Sequence, residues 1–331
     1  MTEQNDPKIE RRQFLSRAAK AGLSVAAVGI ISAKLYDSRG LKPSVDTESL
    51  VTLPNFSTPP KNGQTISIVK GPDRKATVNK AIELLGGIER FVAKGQVVAI
   101  KPNIAFASSP LLGATTNPEL VAEVVRLCYK AGAKRVIVTD NPINDPASCF
   151  MLSGIGKAAG DAGAEVVLPR PGFFSRTTLA GGKLIVSWPI FYEPFMKVDK
   201  LIGIAPVKHH SRSGASMTMK NWYGLLGGRR NVFHQDINTI IAELAVMVRP
   251  TLVILDGTEV MVTNGPTGGS VSDLKRMDTL IASTDCVAAD SFGCALLGLK
   301  PSDLPYLAKA QDAGAGTTDY QSLKPAFAAV S

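Results

Sequence analysis

Apolar residues in this chain fall into two alternating kinds of segment: short uninterrupted runs, and longer stretches with apolar positions three and four apart. Uninterrupted runs bounded by turn residues are strands covered on both faces, whereas the wider spacing marks helices with one buried stripe. A first strand is predicted over 65–70, ending at Lys70-Gly71-Pro72, with helical spacing over 78–91. The run 96–100 stops at Lys101-Pro102-Asn103. Asn117 can cap the next helix with Pro118 as its first residue. Leu120, Val121, Val124, Val125 and Cys128 form that helix's apolar face, and Gly132 closes it. A strand over 135–139 ends at Asp140-Asn141-Pro142, followed by a helix over 153–162 and a short strand over 164–168. Alternation over 177–192 around Gly181-Gly182 predicts a β-hairpin.

The second half repeats the rhythm. A strand over 201–205 leads into a loop, Pro206-Val207-Lys208-His209-His210, and a short helix follows over 217–226. Ile237, Ile240, Ile241, Leu244, Ala245 and Val248 mark an amphipathic helix. Strands over 252–255, ending at Asp256-Gly257, and over 280–283, ending near Asp285, precede an apolar helix over 287–297. Strand alternating with helix predicts an α/β fold: a largely parallel, doubly wound sheet with helices on both faces, plus a small β-hairpin insertion. The chain shows no fixed-period repeat.

The N-terminal segment breaks this rhythm. Arg11 and Arg12, followed by Phe14 and Leu15 ahead of a weakly apolar stretch to Tyr36, form a twin-arginine export signal. That route carries folded proteins and predicts the twin-arginine translocation machinery as a partner and a periplasmic or otherwise exported location. The stretch 21–36 is interrupted by Gly, Ser and Lys, so it suits a signal better than a membrane span. Ala27-Val28-Gly29 offers small residues to a signal peptidase, and an uncleaved signal is the alternative, the one route by which this chain would contact a membrane. The predicted organisation is therefore a signal segment over 1–36, a proline-rich linker over 37–64 and an α/β domain over 65–320.

Charge and cysteine content narrow the function classes. The net charge is +9, of which residues 1–40 supply +3 through seven Lys or Arg against four Asp or Glu. The remaining excess is spread along the chain without a basic block interleaved with aromatics, which speaks against nucleic acid and for small anionic ligands. The four cysteines, Cys128, Cys149, Cys286 and Cys294, form no C-x-x-C pair, so an iron–sulfur cluster is not expected. Cys286 and Cys294 share one helix, where eight residues span about 12 Å, too far for a disulfide.

In open α/β sheets, ligands sit beyond the carboxyl ends of the strands. Lys70, Lys101 with Asn103, Asp140 with Asn141, Lys208 with His209 and His210, and Asp256 all fall at such ends, although each alone is also ordinary loop chemistry. His209 and His210 are two of only three histidines and suit proton transfer or metal ligation; adjacent residues point apart, so one of them is expected to face the site. His234, near Asp236 at a helix start, reads as a capping residue. Lys220 and Asn221, at the start of a helix and followed by Trp222 and Tyr223, can hold an anion; the alternative makes the aromatics core anchors and Lys220 a solvated charge. The 265–269 loop lacks the Gly-Lys-Ser/Thr ending of a phosphate loop, and no G-x-S-x-G elbow is present.

Val98-Ala99-Ile100-Lys101-Pro102-Asn103, Thr115-Thr116-Asn117-Pro118, Ala131-Gly132-Ala133, Pro206-Val207-Lys208-His209-His210, Met219-Lys220-Asn221 with Gly224-Leu225-Leu226, and Leu255-Asp256-Gly257 together resemble the family called "domain of unknown function 362", over roughly 66–307. The resemblance implies an α/β domain in a family whose members sometimes carry iron–sulfur centres, but the clustered-cysteine module is missing here. It also implies that Lys101, Asn103, Lys208, His209, Lys220, Asn221 and Asp256 belong to one set.

The expectation is an exported protein with a polar pocket for an anionic small molecule. Lys101, Lys208 and Lys220 would neutralise the anion beside Asn103 and Asn221. His209 or His210 would act as general acid/base or metal ligand with Asp256 or Asp140 as partner, and Lys220 and Asp256 join the two histidines as candidate catalytic groups. Asp140 is the candidate ligand for a divalent metal. Two rival readings are a non-catalytic accessory protein for an exported redox enzyme, and an iron–sulfur electron carrier using the four cysteines.

Overall fold

The structure, a computed structural model, describes residues 50–58 and 64–331. The export signal at Arg11, Arg12, Phe14 and Leu15, and most of the 37–64 linker, lie outside the described residues. The end of that linker is docked: Leu53 and Phe56 are buried, the Phe56 N–H donates to the Arg249 carbonyl, and Thr251 Oγ1 donates back to the Phe56 carbonyl.

In chain order, the first elements are β1 (Ile66–Lys70), α1 (Arg74–Leu84), β2 (Val97–Lys101), α2 (Pro118–Lys130), β3 (Arg135–Thr139), α3 (Pro146–Leu152), α4 (Ile155–Asp161) and β4 (Glu165–Val167). A small antiparallel pair follows, β5 (Phe174–Thr177) and β6 (Trp188–Phe191), which is the expected hairpin. Then come α5 (Glu193–Met196), β7 (Lys200–His210), β8 (Gly214–Ser216), α6 (Thr218–Asn221), α7 (Ile237–Met247), β9 (Leu252–Met261), β10 (Leu274–Ser283), α8 (Cys286–Leu296), α9 (Pro305–Asp312) and β11 (Ala326–Ala329). β11 carries the domain past the expected end at 320.

Among the described residues, nine strands form one sheet in the order β11-β1-β10-β9-β7-β2-β3-β4, with β8 pairing β7. β10 runs antiparallel to β1 and β9, and β8 antiparallel to β7; the other pairs are parallel. The fold class is thus a mostly parallel α/β sheet with helices on both faces. Period-two alternation divides the strand residues between two cores. Val98, Ile100, Ile202, Ile204, Leu252 and Ile254 pack with α1, α2 and α4 on one face. Ala99, Leu201, Ala205, Val253 and Leu255 pack with α7, α8 and α9 on the other.

Local caps follow the sequence closely. Asn117 Oδ1 accepts the N–H groups of Glu119 and Leu120 to start α2, and Asp285 accepts from Ala288 to start α8. Three strands run further than their apolar cores, β10 reaching back to Leu274 against the extended β9. β7 continues through Lys208 to His210 because β8 folds back against it, pairing Lys208 with Ser216 and His210 with Gly214. β9 continues through Asp256 to Met261 because β10 pairs along its whole length in a hairpin. The 206–210 segment is therefore strand rather than loop, and Asp256 sits inside a strand rather than at its end.

The order of the strands sets the site. From β2 the chain proceeds outward to β3 and β4, then returns to place β7 on the other side of β2. The crossovers diverge between β2 and β7, leaving a crevice beyond their carboxyl ends.

Candidate functional site

A cavity of about 160 Å³ occupies that crevice. β2 ends in Lys101, with Asn103 two residues on; β3 is followed by Asp140 and Asn141; β7 brings Lys208 and His210; α6 brings Lys220 and Asn221. Tyr223, Gly224, Arg230 and His234 complete the wall from the segment between α6 and α7. In a strand, i and i+2 share a face, so Lys208 and His210 reach the cavity together while His209 does not line it. His209 instead accepts the Gly265 N–H on Nδ1 at 3.2 Å.

Asn221 is the hub. Its Oδ1 accepts from Lys101 Nζ at 3.1 Å and Asn103 Nδ2 at 3.3 Å, and its Nδ2 donates to the carbonyls of Lys101 and Ile204. The Lys101 ammonium, fully buried, pairs with Asp140 Oδ1 at 2.7 Å. Asp140 also accepts the N–H groups of Ile104 on Oδ2 and of Asn141 on Oδ1. Lys208 Nζ donates to Asn103 Oδ1 and the Ala114 carbonyl and lies 5.3 Å from the centre of the Phe106 ring. Arg230 donates to the carbonyls of Asn141, Leu226 and Pro142, tying the wall together.

Lys220 differs from the other cations. Among the described residues no hydrogen bond or ion pair holds its ammonium, which stands 5.1 Å from the centre of the Tyr223 ring. α6, which carries it, is a single turn fixed by the buried Asp290 of α8. That carboxylate accepts from the Thr218 N–H and Oγ1 and from the Met219 N–H. Burial raises the Asp290 pKa to about 7, against the opposing effect of those hydrogen bonds.

Desolvation governs the electrostatics of the cavity. Burial, assisted by Lys220, lowers Lys208 to about 7; burial and then Arg230 lower Lys220 to about 8. Burial also lowers Lys101, with Asp140 opposing it. His210 falls to about 2, first through burial and then through Lys220 and other nearby cations. Its Nδ1 accepts the N–H groups of Arg212 at 3.1 Å and Ser213 at 3.3 Å. His234 is also lowered, by burial and Lys220. Its Nδ1 lies 3.2 Å from both Tyr223 Oη and the Asn231 carbonyl.

The cavity gathers Lys101, Asn103, Lys208, His210, Lys220, Asn221 and Asp140 from the residues singled out in the sequence. His209 and Asp256 lie elsewhere. Asp256, inside β9, pairs with Arg74 of α1 at 2.8 Å and accepts the Thr258 N–H. His234 is not the capping residue that its position near Asp236 suggests, and Arg230 belongs to no motif in the sequence. Asp236 caps α7 instead, accepting from Thr239, and His234 faces the cavity. Two cationic or imidazole groups four apart in one turn-forming segment were the available signal.

The donor set does not suit a metal ion. Among the described residues no group of three His, Cys, Asp or Glu side chains is close enough to hold one, and the Asp140 carboxylate is already engaged by an ammonium and two N–H groups. The four cysteines are buried and unpaired, with Cys128 and Cys149 in α2 and α3 and Cys286 and Cys294 in α8.

Comparison with known proteins adds a family. The chain is 28% identical over 251 residues to a thylakoid-associated protein of Synechocystis sp., covering 73% of this chain and 76% of that one. Among solved structures it is similar to the lactate racemase apoprotein of Thermoanaerobacterium thermosaccharolyticum, with 14% identity, a TM-score of 0.38 and coverage of 69% of this chain and 56% of that one. A Thermotoga maritima protein gives 12% identity, a TM-score of 0.32 and coverage of 56% and 51%. The chain thus spans about half the length of these two structures. The family described as Domain of unknown function (DUF362) matches residues 98–295, a span running from β2 to α8 that contains every lining residue named above, and the chain belongs to that family.

Proposed function

We propose that this protein binds a small anion in the cavity between β2 and β7, with Lys208, Lys220 and Arg230 as the groups that neutralise it. One observation carries the reading: these three cations share one partly enclosed wall, and among the described residues none of them has a carboxylate partner. Keeping ammonium groups out of water without a counter-ion is costly, so an anion entering the cavity recovers energy the free protein lacks. Lys101 and Asp140 neutralise one another and hold the wall in shape. Three unpaired cations favour a dianion over a single carboxylate. Titration calorimetry of the full chain with inorganic phosphate tests the reading: binding is expected in the wild type and lost in Lys220→Met. Absence of binding, or binding unchanged in Lys220→Met, contradicts it.

The place of action is proposed from the sequence. Arg11 and Arg12 with Phe14 and Leu15 support export by the twin-arginine route, and fractionation of cells producing the wild type and an Arg11→Lys, Arg12→Lys double variant checks it. The relative's thylakoid association is compatible with work at a membrane surface. No helix among the described residues is long and apolar enough to cross a membrane.

A further inference from the structure

We infer that His210 and His234 are fixed in opposite tautomers on the cavity wall and that the pair selects an oxyanion retaining one hydroxyl, monohydrogen phosphate being the simplest. The inference rests on the anion reading above and adds to it which anion the cavity prefers.

The tautomers follow from hydrogen bonding. Two backbone N–H groups, those of Arg212 and Ser213, donate to His210 Nδ1. A backbone N–H can only donate, so His210 Nδ1 carries the lone pair and the neutral ring holds its proton on Nε2. His234 has the reverse environment. Its Nδ1 meets the Asn231 carbonyl, which only accepts, and Tyr223 Oη, whose hydrogen is committed to the Arg230 carbonyl at 2.5 Å. Both neighbours accept, so His234 Nδ1 carries the proton and Nε2 the lone pair. His210 thus offers the site a donor and His234 an acceptor, from rings stacked with centroids 6.0 Å apart at 17°.

Burial first, and then the charges around the pair, keep both rings neutral. Lys220, Lys208 and His209 oppose a proton on His210; Lys220, Arg212 and Arg230 oppose one on His234; Tyr223 stands against His234 edge-on. Protonating His234 Nε2 would place another cation among them. A fully deprotonated anion presents only lone pairs, which match the ammonium groups, Arg230 and His210 but oppose the His234 lone pair. An oxyanion with one hydroxyl meets all of them: its charged oxygens face the cations and its hydrogen is donated to His234. Phosphate and sulfate have the same shape and, near pH 8, the same charge, and differ by that one hydrogen.

The test uses the full chain labelled with 15N at histidine. The chain has three histidines, so long-range proton–nitrogen correlation resolves every ring. Expected are Nε2–H tautomers for His210 and for His209, whose Nδ1 accepts from Gly265, and the Nδ1–H tautomer for His234, with His209→Gln and His234→Gln variants assigning the signals. Phosphate should move the His234 Nε2 resonance and, at pH 8, bind about tenfold or more tighter than sulfate, one hydrogen bond against one repulsive contact. His234→Phe should abolish that preference by lowering phosphate affinity to that of sulfate. A protonated Nε2 on His234, or equal affinity for the two anions, overturns the inference and leaves the anion reading standing. A cavity that binds neither anion overturns the anion reading itself.

Discussion

Lys208 shows how much the site depends on single side chains. Its ammonium is buried with two neutral hydrogen-bond partners and no carboxylate. Its pKa near 7 lies below the ordinary value of 10.5, so above pH 7 the folded chain holds fewer protons there than the unfolded one. Stability of the anion-free protein therefore gains from this group as pH rises from 7 towards 10, the sign set by a depressed folded pKa. Lys208→Met should remove that slope and stabilise the free protein at pH 7 by about 1 kcal/mol, roughly 2–4 °C in Tm, while weakening phosphate binding. Calorimetric unfolding with and without phosphate checks both effects. Binding should also take up protons between pH 7 and 9, because an anion restores the charge on Lys208 and on Lys220, which sits near 8. Affinity should then fall above pH 8, and heats measured in buffers of different ionisation enthalpy give the proton count.

Gly224 makes a second residue-scale case. A Cβ at this position would lie 2.4 Å from Asp140 Oδ1 and 2.9 Å from Lys101 Nζ, so the ion pair packs directly against the backbone after α6. Gly224→Ala should cost about 1–3 kcal/mol through overpacking and should weaken phosphate binding by displacing Lys101 and Asp140. Denaturant unfolding and calorimetry measure the two separately.

At the scale of elements, the sequence carried the cores of strands and helices and lost their extensions. Val98-Ala99-Ile100 and Val136-Ile137-Val138 are apolar because both sheet faces are covered, so β2 and β3 were legible. β7 and β9 continue through polar residues because β8 and β10 pair with them, and such a partner leaves no mark in the local pattern. That extension decided the histidines: in a strand Lys208 and His210 share a face and His209 takes the other. It also moved Asp256 from the rim into β9, where it meets Arg74 of α1. Asp256→Asn should leave phosphate affinity unchanged and cost about 1–3 kcal/mol, the range for a buried hydrogen-bonded charge losing its partner. A drop in affinity without loss of stability would place Asp256 in the binding site.

At the scale of the whole molecule, strand–helix alternation was enough to predict the sheet and the rim where Lys101, Lys208 and Lys220 would lie. It was not enough to order the strands. The crevice exists because β7 returns beside β2 after the excursion through β3 and β4, a long-range pairing that no window of sequence contains. His234 and Arg230 were missed for the same reason: the segment between α6 and α7 folds over that crevice, and only the tertiary arrangement brings it there. If the cavity takes the anion in the folded state alone, as proposed, phosphate at about 100 times its Kd should stabilise the whole domain by about 2.7 kcal/mol. The most direct measurement is isothermal titration of the wild type and Lys220→Met with inorganic phosphate at pH 7.5 in two buffers of different ionisation enthalpy. The expected result is stoichiometric binding with net proton uptake in the wild type and its loss in the variant. Binding without proton uptake, or unchanged in Lys220→Met, would contradict the account.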